Sequence, residues 1–340
     1  MTLTTALVLA AIAVLAAIAL QGWWSARRAA PRKAHGIAQP EAVRERVEPT
    51  LGPLPAVIPA TPAARRSGVR IDALIDAIAT LGVDAPVSGD TVLAHLPTSR
   101  RAGTKPMLFE GLNADNGEWE PPAAGARYSE LQAAVQLANR SGALNEIEYS
   151  EFVQKTQDFA DAVGAVPDVP DMLDVVARAR ELDAFASAHD ANLAVHLQAN
   201  SVAWSVGFLR QAAERRGLVA GHGAARLVLP AAEEGAPPVL TLTYDVQAAM
   251  AEDPQLASVR RATLTLDVAQ TPAAAEPFVA WQQAIRALAE DLDASAVDDE
   301  GRPITLAHYK TIDAELQRLY AALEARDMAA GSALARRLFQ

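Results

Sequence analysis

The chain has 340 residues, 51% of them hydrophobic and 21% charged, with no cysteine and a net charge of −11. That apolar content excludes a wholly disordered protein, and the missing cysteine excludes disulfide frameworks, thiolate metal sites and cysteine nucleophiles. The acidic balance argues against a general nucleic-acid binder, and it is uneven: nine Lys/Arg against three acids make residues 1–70 carry +6, which leaves −17 for the rest.

Residues Thr2 to Ser25 carry no charge, and Leu3 through Leu20 is nearly all Leu, Ala, Val and Ile. With the residues up to Trp24 this run matches the roughly 20 residues a helix needs to cross about 30 Å of hydrocarbon. Trp23 and Trp24 follow where amphipathic rings prefer the membrane interface, and Arg27, Arg28, Arg32 and Lys33 come next. Positive charge marks the cytoplasmic side. The pattern therefore predicts a transmembrane helix over 3–24, with the N-terminus outside and the body cytoplasmic. A cleaved signal peptide needs positive residues before the apolar run, and this chain has none there. A single span makes a tether, not a channel. Residues 25–66 read as a basic, proline-rich linker, with seven prolines from Pro31 to Pro62; proline fixes φ and removes donors, so the stretch reads as an extended spacer.

The body begins near residue 67. Ile71–Val83 fits helix or strand. Ser88–His95 reads as a short helix, and Lys105–Leu112, Glu118–Glu120 and Ser129–Ala138 as strands. Asn145–Val163 and Asp171–His189 are helices. From residue 191 the pattern is sharper. Asn192–Ala199, Val239–Val246 and Arg261–Val268 alternate as strands. Val202–Arg216 reads as a helix ended by Gly217, and Leu218–Leu229 as a glycine-broken strand. A long helix covers about Ala274–Leu292, then a short strand Ala294–Val297, a turn Asp298–Gly301 and a last helix Thr305–Asp327. The two last helices echo the pair about 130 residues earlier. Two readings stand: a degenerate duplication of one α+β unit, or a single irregular domain. The division is 67–190 for one α+β domain, 191–327 for a second, and 328–340 for a basic amphipathic tail, which either packs back on the body or docks elsewhere.

The alternating strands have one apolar and one polar face. Leu193, Val195, Leu197, Leu240, Leu242, Leu264 and Leu266 should pack under helices. Ala194, His196, Thr241, Thr243, Thr263 and Thr265 should face outward, on a surface where an extended partner segment could dock. No HExxH, GxSxG, P-loop or GxGxxG pattern occurs. Gly221-His222-Gly223 reads as a turn, and Asp298-Asp299-Glu300-Gly301 lacks the spacing of a calcium loop. No catalytic residue, cofactor or metal is expected from these patterns, although an anchored hydrolase using His196 or His222 with nearby acids is a competing reading.

The helix over Ala274–Leu292 followed by a short strand and by Asp298, Asp299, Arg302, Pro303 and Thr305 in a DDxxRPxT turn resembles the ZipA family of bacterial cell-division proteins, over about residues 191–327. The resemblance implies a split β-α-β fold, an antiparallel sheet with helices on one face. It also implies a non-enzymatic inner-membrane tether, its N-terminus periplasmic, that binds FtsZ or another septal-ring protein. The family's partner groove would fall on Ala194, His196, Thr263 and Thr265, with Gly223 and Ala225 beside them. Thr265 stands where a bulky aromatic is expected.

Overall fold

The computed structural model describes residues 70–340. The expected transmembrane helix with Trp23, Trp24, Arg27 and Arg28, and the linker over 25–66, lie outside the described residues. Among those described, no helix is long and apolar enough to cross a membrane. The fold is mixed α+β with antiparallel sheets, in two compact units. One comprises residues 70–190 with Ala322–Gln340, the other Ala191–Ala321.

In the first unit β1 (Asp76–Ser88) leads into α1 (Gly89–His95), capped by the Ser88 hydroxyl on the Thr91 N–H. Strands β2 (Arg101–Ala102), β3 (Lys105–Asn113), β4 (Trp119–Glu120) and β5 (Arg127–Gln136) follow, then a small hairpin of β6 (Ala138–Asn139) and β7 (Gly142–Ala143). Helix α2 (Glu146–Val163), strand β8 (Ala165–Asp168) and α3 (Met172–His189) complete the run. The sheet order is β2-β3-β5-β1-β8, with β4 on the side of β3. The ambiguous Ile71–Val83 segment is a turn closed by Asp72 and then strand. Alternation of Ala77, Ala79 and Leu81, all fully buried, wins over the helical spacing of the preceding residues. Helix α2 lies on that buried side, where Phe109 and Phe159 meet edge-on at 5.0 Å.

Of residues 328–340, read as a basic amphipathic tail that either packs back on the body or docks elsewhere, Ala333–Leu338 form a helix that belongs to this unit, in line with the packed-back reading. Ala335, Leu338 and Phe339 are buried. The two arginines that made the segment look like a basic surface tail include one, Arg337, that turns inward.

The second unit opens with β9 (Asn192–Ala199) and β10 (Trp204–Ser205). Helix α4 (Val206–Arg215) starts four residues later than the expected Val202, because Trp204 and Ser205 pair in strand geometry with Val259 and Ser258 and Ser205 then caps the helix through the Phe208 N–H. Next come β11 (Val219–Ala220) and β12 (Arg226–Leu229), a hairpin where one broken strand was expected, then β13 (Leu240–Tyr244) and the short α5 (Val246–Ala249). Strands β14 (Ser258–Val259) and β15 (Arg261–Asp267), helix α6 (Pro277–Leu292), strand β16 (Ala294–Val297) and helix α7 (Leu306–Glu324) follow. The sheet order is β11-β12-β13-β15-β9-β16.

The core of this unit gathers Val195, Leu197, Leu240, Leu242, Leu264 and Leu266 from the sheet against Leu209 of α4 and Trp281, Ile285 and Leu288 of α6. Each such side chain contributes about 1.5–3 kcal/mol on burial. Trp281 also donates its indole N–H to the Leu264 carbonyl at 3.4 Å. Trp204 donates to the Leu292 carbonyl at 2.7 Å, which fixes the end of α6 beside the start of α4.

Candidate functional site

The register of the second sheet decides what its uncovered face presents. Ala194 on β9 lies opposite Thr265 on β15, Thr265 opposite Thr241 on β13, and Thr241 opposite Val228 on β12. The next row is His196, Thr263, Thr243 and Arg226. Their neighbours along each strand are the core residues, so strand period two turns both rows away from α4 and α6. Ala194 is exposed and the threonines are half-buried. The six positions Ala194, His196, Thr241, Thr243, Thr263 and Thr265 are thus brought together on one face, as the alternation predicts.

Gly223 and Ala225 are not part of it. Ala225 is buried in the core, 7% exposed, because its N-terminal neighbours form the hairpin turn and Arg226 takes the outward register. Gly223 sits in that turn with φ +105°. The residues that β12 does contribute, Arg226 and Val228, were not singled out from the sequence. Leu227 and Leu229 flank Val228 as a continuous apolar run, so hydropathy alone gives no phase.

The face is less polar than its composition. The Thr265 hydroxyl donates to the Thr241 carbonyl at 3.2 Å, and Thr243 reaches the Thr263 carbonyl at 3.5 Å. Arg226 donates to the Thr241 hydroxyl at 3.3 Å. Hydroxyls spent on the sheet leave the γ-methyl groups as the remaining contact surface, a shallow grid of methyls bordered by Arg226 and by Asp267.

His196 is held at both ring nitrogens. Nδ1 is 2.9 Å from the Thr263 hydroxyl and Nε2 is 2.8 Å from Asp299 Oδ1. A neutral ring has one donor and one acceptor. The Asp299 carboxylate needs the donor, so Nε2–H donates to it and Nδ1 accepts from Thr263. Asp299 is carried by the turn after β16. There Asp298 Oδ1 accepts from the N–H groups of Glu300 and Arg302 at 3.0 and 2.8 Å, and Oδ2 takes the Arg302 guanidinium at 2.8 Å. The backbone hydrogen bond from Arg302 and the guanidinium hold the Asp298 carboxyl below its usual range. The turn then folds back on β16, with Ile304 N–H on the Ala296 carbonyl at 3.1 Å and Pro303 bridged to Val297.

Thr263, His196 and Asp299 have the order of a nucleophile, base and acid. Such a relay needs N–H donors aimed at a developing oxyanion. Thr263 is mid-strand, and β15 is paired on both sides, with β9 and β13, so its own backbone is committed to the sheet. The trio also ties the Asp298–Arg302 turn to the sheet through the His196–Asp299 contact. His222, the other histidine considered for chemistry, is exposed beside Gly223 and has no carboxylate partner among the described residues. No group of three or more His, Asp or Glu converges on a metal-sized site among the described residues.

No protein-family model matches the chain, and no curated protein does.

Proposed function

We propose that the chain is a non-enzymatic tether of bacterial cell division, anchored in the inner membrane by residues 3–24, that binds FtsZ or another septal-ring protein on the open sheet face of its second unit. The observation that carries this reading is the one-sided sheet: helices cover the Val195/Leu264/Leu242 side, and the Ala194/Thr265/Thr241 row stays partly exposed beside a shallow cavity that Pro237, Pro238 and Gln270 border. That row is where the ZipA-like pattern of the sequence puts a partner groove. A grid of threonine methyls offers a docked segment apolar area at about 25 cal/mol per Å², without any aromatic anchor.

The two strand orders also support a duplicated ZipA-like unit. The run β3-β5-β1-β8 in the first unit repeats as β13-β15-β9-β16 in the second, every pair antiparallel. In each, a strand leads to a serine-capped helix, and a later helix ends in a left-handed residue, Gly164 or Asp293, that feeds the sheet's last strand.

The test is calorimetric titration of the full chain in detergent or lipid discs with FtsZ and with the FtsZ C-terminal peptide. Micromolar binding, about −8 kcal/mol, is expected. Thr265→Arg, at the centre of the face, should weaken it at least about tenfold, about 1.4 kcal/mol, with an unchanged melting midpoint. Absence of binding to either form of FtsZ sinks that partner, and binding indifferent to Thr265→Arg sinks the face. An anchored hydrolase is the second reading; the Thr263–His196–Asp299 order is what favours it.

A further inference from the structure

The repeat between the two units extends from strand order to single rungs. In the first unit the last residue of β8, Asp168, faces Thr80 on β1, and Thr80 faces Gln132 on β5. In the second unit the last residue of β16, Val297, faces His196 on β9, and His196 faces Thr263 on β15. Four residues back along β1 and β9, the corresponding rungs are Asp76 opposite Gln136 and Asn192 opposite Asp267. Each rung sets one carboxylate beside one carboxamide, with the two exchanged between the strands. Both rungs are out of phase with the buried strand residues, Ala77 and Val135 in one sheet, Val195 and Leu266 in the other.

The first rung is closed, and an arginine closes it. The Arg337 guanidinium donates to Asp76 Oδ2 at 2.9 Å and to Oδ1 at 2.5 Å, and Gln136 Nε2 donates to the Arg337 carbonyl at 2.8 Å. The carboxylate takes the fork of the side chain, and the carboxamide holds the backbone that delivers it. Asp76 does so while also accepting from the Asp72 N–H at 2.9 Å.

The second rung opens onto a cavity of about 200 Å³, walled by Pro237 and Pro238. Asn192 is exposed and Asp267 half-buried. The Gln270 N–H donates to Asp267 Oδ1 at 3.3 Å and Gln270 Nε2 to Oδ2 at 3.1 Å. A carboxylate has about four lone-pair sites, so these bonds leave Asp267 able to take a guanidinium as Asp76 does. Arg226 borders the same cavity, with its guanidinium on the Thr241 hydroxyl.

We infer that Asp267 and Asn192 form a socket for an arginine side chain of a partner segment, the counterpart of the socket that Arg337 fills in the first unit. The inference rests on the reading of this face as a partner surface, and it names the residue that the docked segment must bring. Asp267 supplies the two-pronged contact and Asn192 meets the segment's backbone. Arg226, a like charge beside the same cavity, turns away a polybasic run in favour of one arginine with neutral or acidic neighbours.

A labelled peptide of residues 332–340 is the probe, because this segment already seats an arginine on a carboxylate–carboxamide rung. Its fluorescence anisotropy is followed on the full chain in lipid discs. Binding is expected. Citrulline in place of Arg336 and Arg337 keeps the shape and removes the charge, and it should weaken binding about tenfold or more. Asn192→Arg, at an exposed position, should weaken it as much by setting a guanidinium beside Asp267, and Asp267→Asn should do the same by removing the carboxylate. No binding, or equal binding of the citrulline peptide, overturns the inference. So does binding indifferent to both substitutions, since the peptide would then be exchanging with the native C-terminal helix at Asp76. Titration with FtsZ separates the socket from the face. FtsZ binding that Thr265→Arg weakens and Asn192→Arg leaves intact keeps the face and overturns the socket. Peptide binding that Asn192→Arg abolishes, with no FtsZ binding at all, keeps the socket and sinks that partner.

Discussion

Arg337 shows how much one residue of an apparently basic tail carries. Its guanidinium grips Asp76 at 2.9 and 2.5 Å and donates to the Arg70 carbonyl at 2.9 Å, while the Gln136 amide donates to the Arg337 carbonyl at 2.8 Å. The side chains are 10% and 1% exposed. Burial pushes the Asp76 carboxyl up, against the pull of the guanidinium. Removing one partner of such a pair strands the other charge, at a cost of about 3–5 kcal/mol. Arg337→Ala should therefore lower the urea midpoint of the first unit, and Arg337→Lys should recover only part, since an ammonium cannot make the two-pronged contact. The pH dependence has a definite sign. A carboxyl whose folded pKa is raised makes the folded state bind more protons, so it favours folding as pH falls. Without Arg337 that shift grows, and the Arg337→Ala deficit should shrink between neutral pH and about pH 4. A deficit that is constant with pH would mean that Asp76 is not left as a buried charge.

At the scale of elements, the start of α2 concentrates several backbone donors on few side chains. Asn145 Oδ1 accepts from the N–H groups of Ile147 and Glu148, both at 3.0 Å, and Glu148 returns to the Asn145 N–H at 3.2 Å. This reciprocal cap is legible as N-x-x-E before an apolar run. Glu148 does more than cap: its other oxygen accepts from the Thr104 N–H and hydroxyl, each at 2.8 Å, and so ties α2 to the β2–β3 turn. Burial pushes the Glu148 carboxyl up, but these hydrogen bonds outweigh it and hold the group below the ordinary 4.5. A depressed folded pKa supplies stability that is present above the unfolded value and lost as pH falls through the folded one. Glu148→Gln should thus destabilise the first unit near neutral pH and flatten its acid limb below about pH 4.5, whereas Asn145→Ala should cost about 1 kcal/mol with the acid limb intact. An acid limb of parental steepness in Glu148→Gln would place the titrating group elsewhere.

Most elements were legible for the same reason: strands with one buried face alternate, as Leu193 to Leu197 and Leu240 to Tyr244 do, and helices such as α1, α2, α3 and α4 begin at Ser, Asn or Asp. What was hidden lacked such a signal. β8 is four residues long with Pro167 inside it. β10 and β14 are two-residue pairs. The hairpin of β11 and β12 has no polar–apolar phase, so no local pattern opposes the family resemblance that puts Ala225 on the outward face, where the structure buries it. The contact of His196 with Asp299 joins residues 103 apart, and no local pattern encodes it.

At the scale of the molecule, chain order and unit membership disagree. The first unit takes residues 70–190 and then recovers Ala322–Gln340 from beyond the second unit. That last segment is bound in place: Met328, Ala335, Leu338 and Phe339 are at most 2% exposed. Arg326 lies 4.3 Å over the Phe185 ring, and the Arg140 N–H donates to the Gln340 carbonyl at 3.4 Å. Three large apolar side chains at about 1.5–3 kcal/mol each, with the Arg337–Asp76 pair, are comparable to the whole stability of a domain, about 5–15 kcal/mol. Ending the chain after Asp327 should therefore unfold the unit that lies earlier in sequence and spare the one that adjoins the cut. Hydrogen exchange followed strand by strand makes the distinction. Amides of β1, β5 and β6 should lose their protection, and those of β9, β13 and β15 should keep it. Equal loss in both sets would show that the two units unfold as one. Unchanged exchange in β1 and β5 would show that the C-terminal helix, for all its burial, adds nothing the first sheet needs.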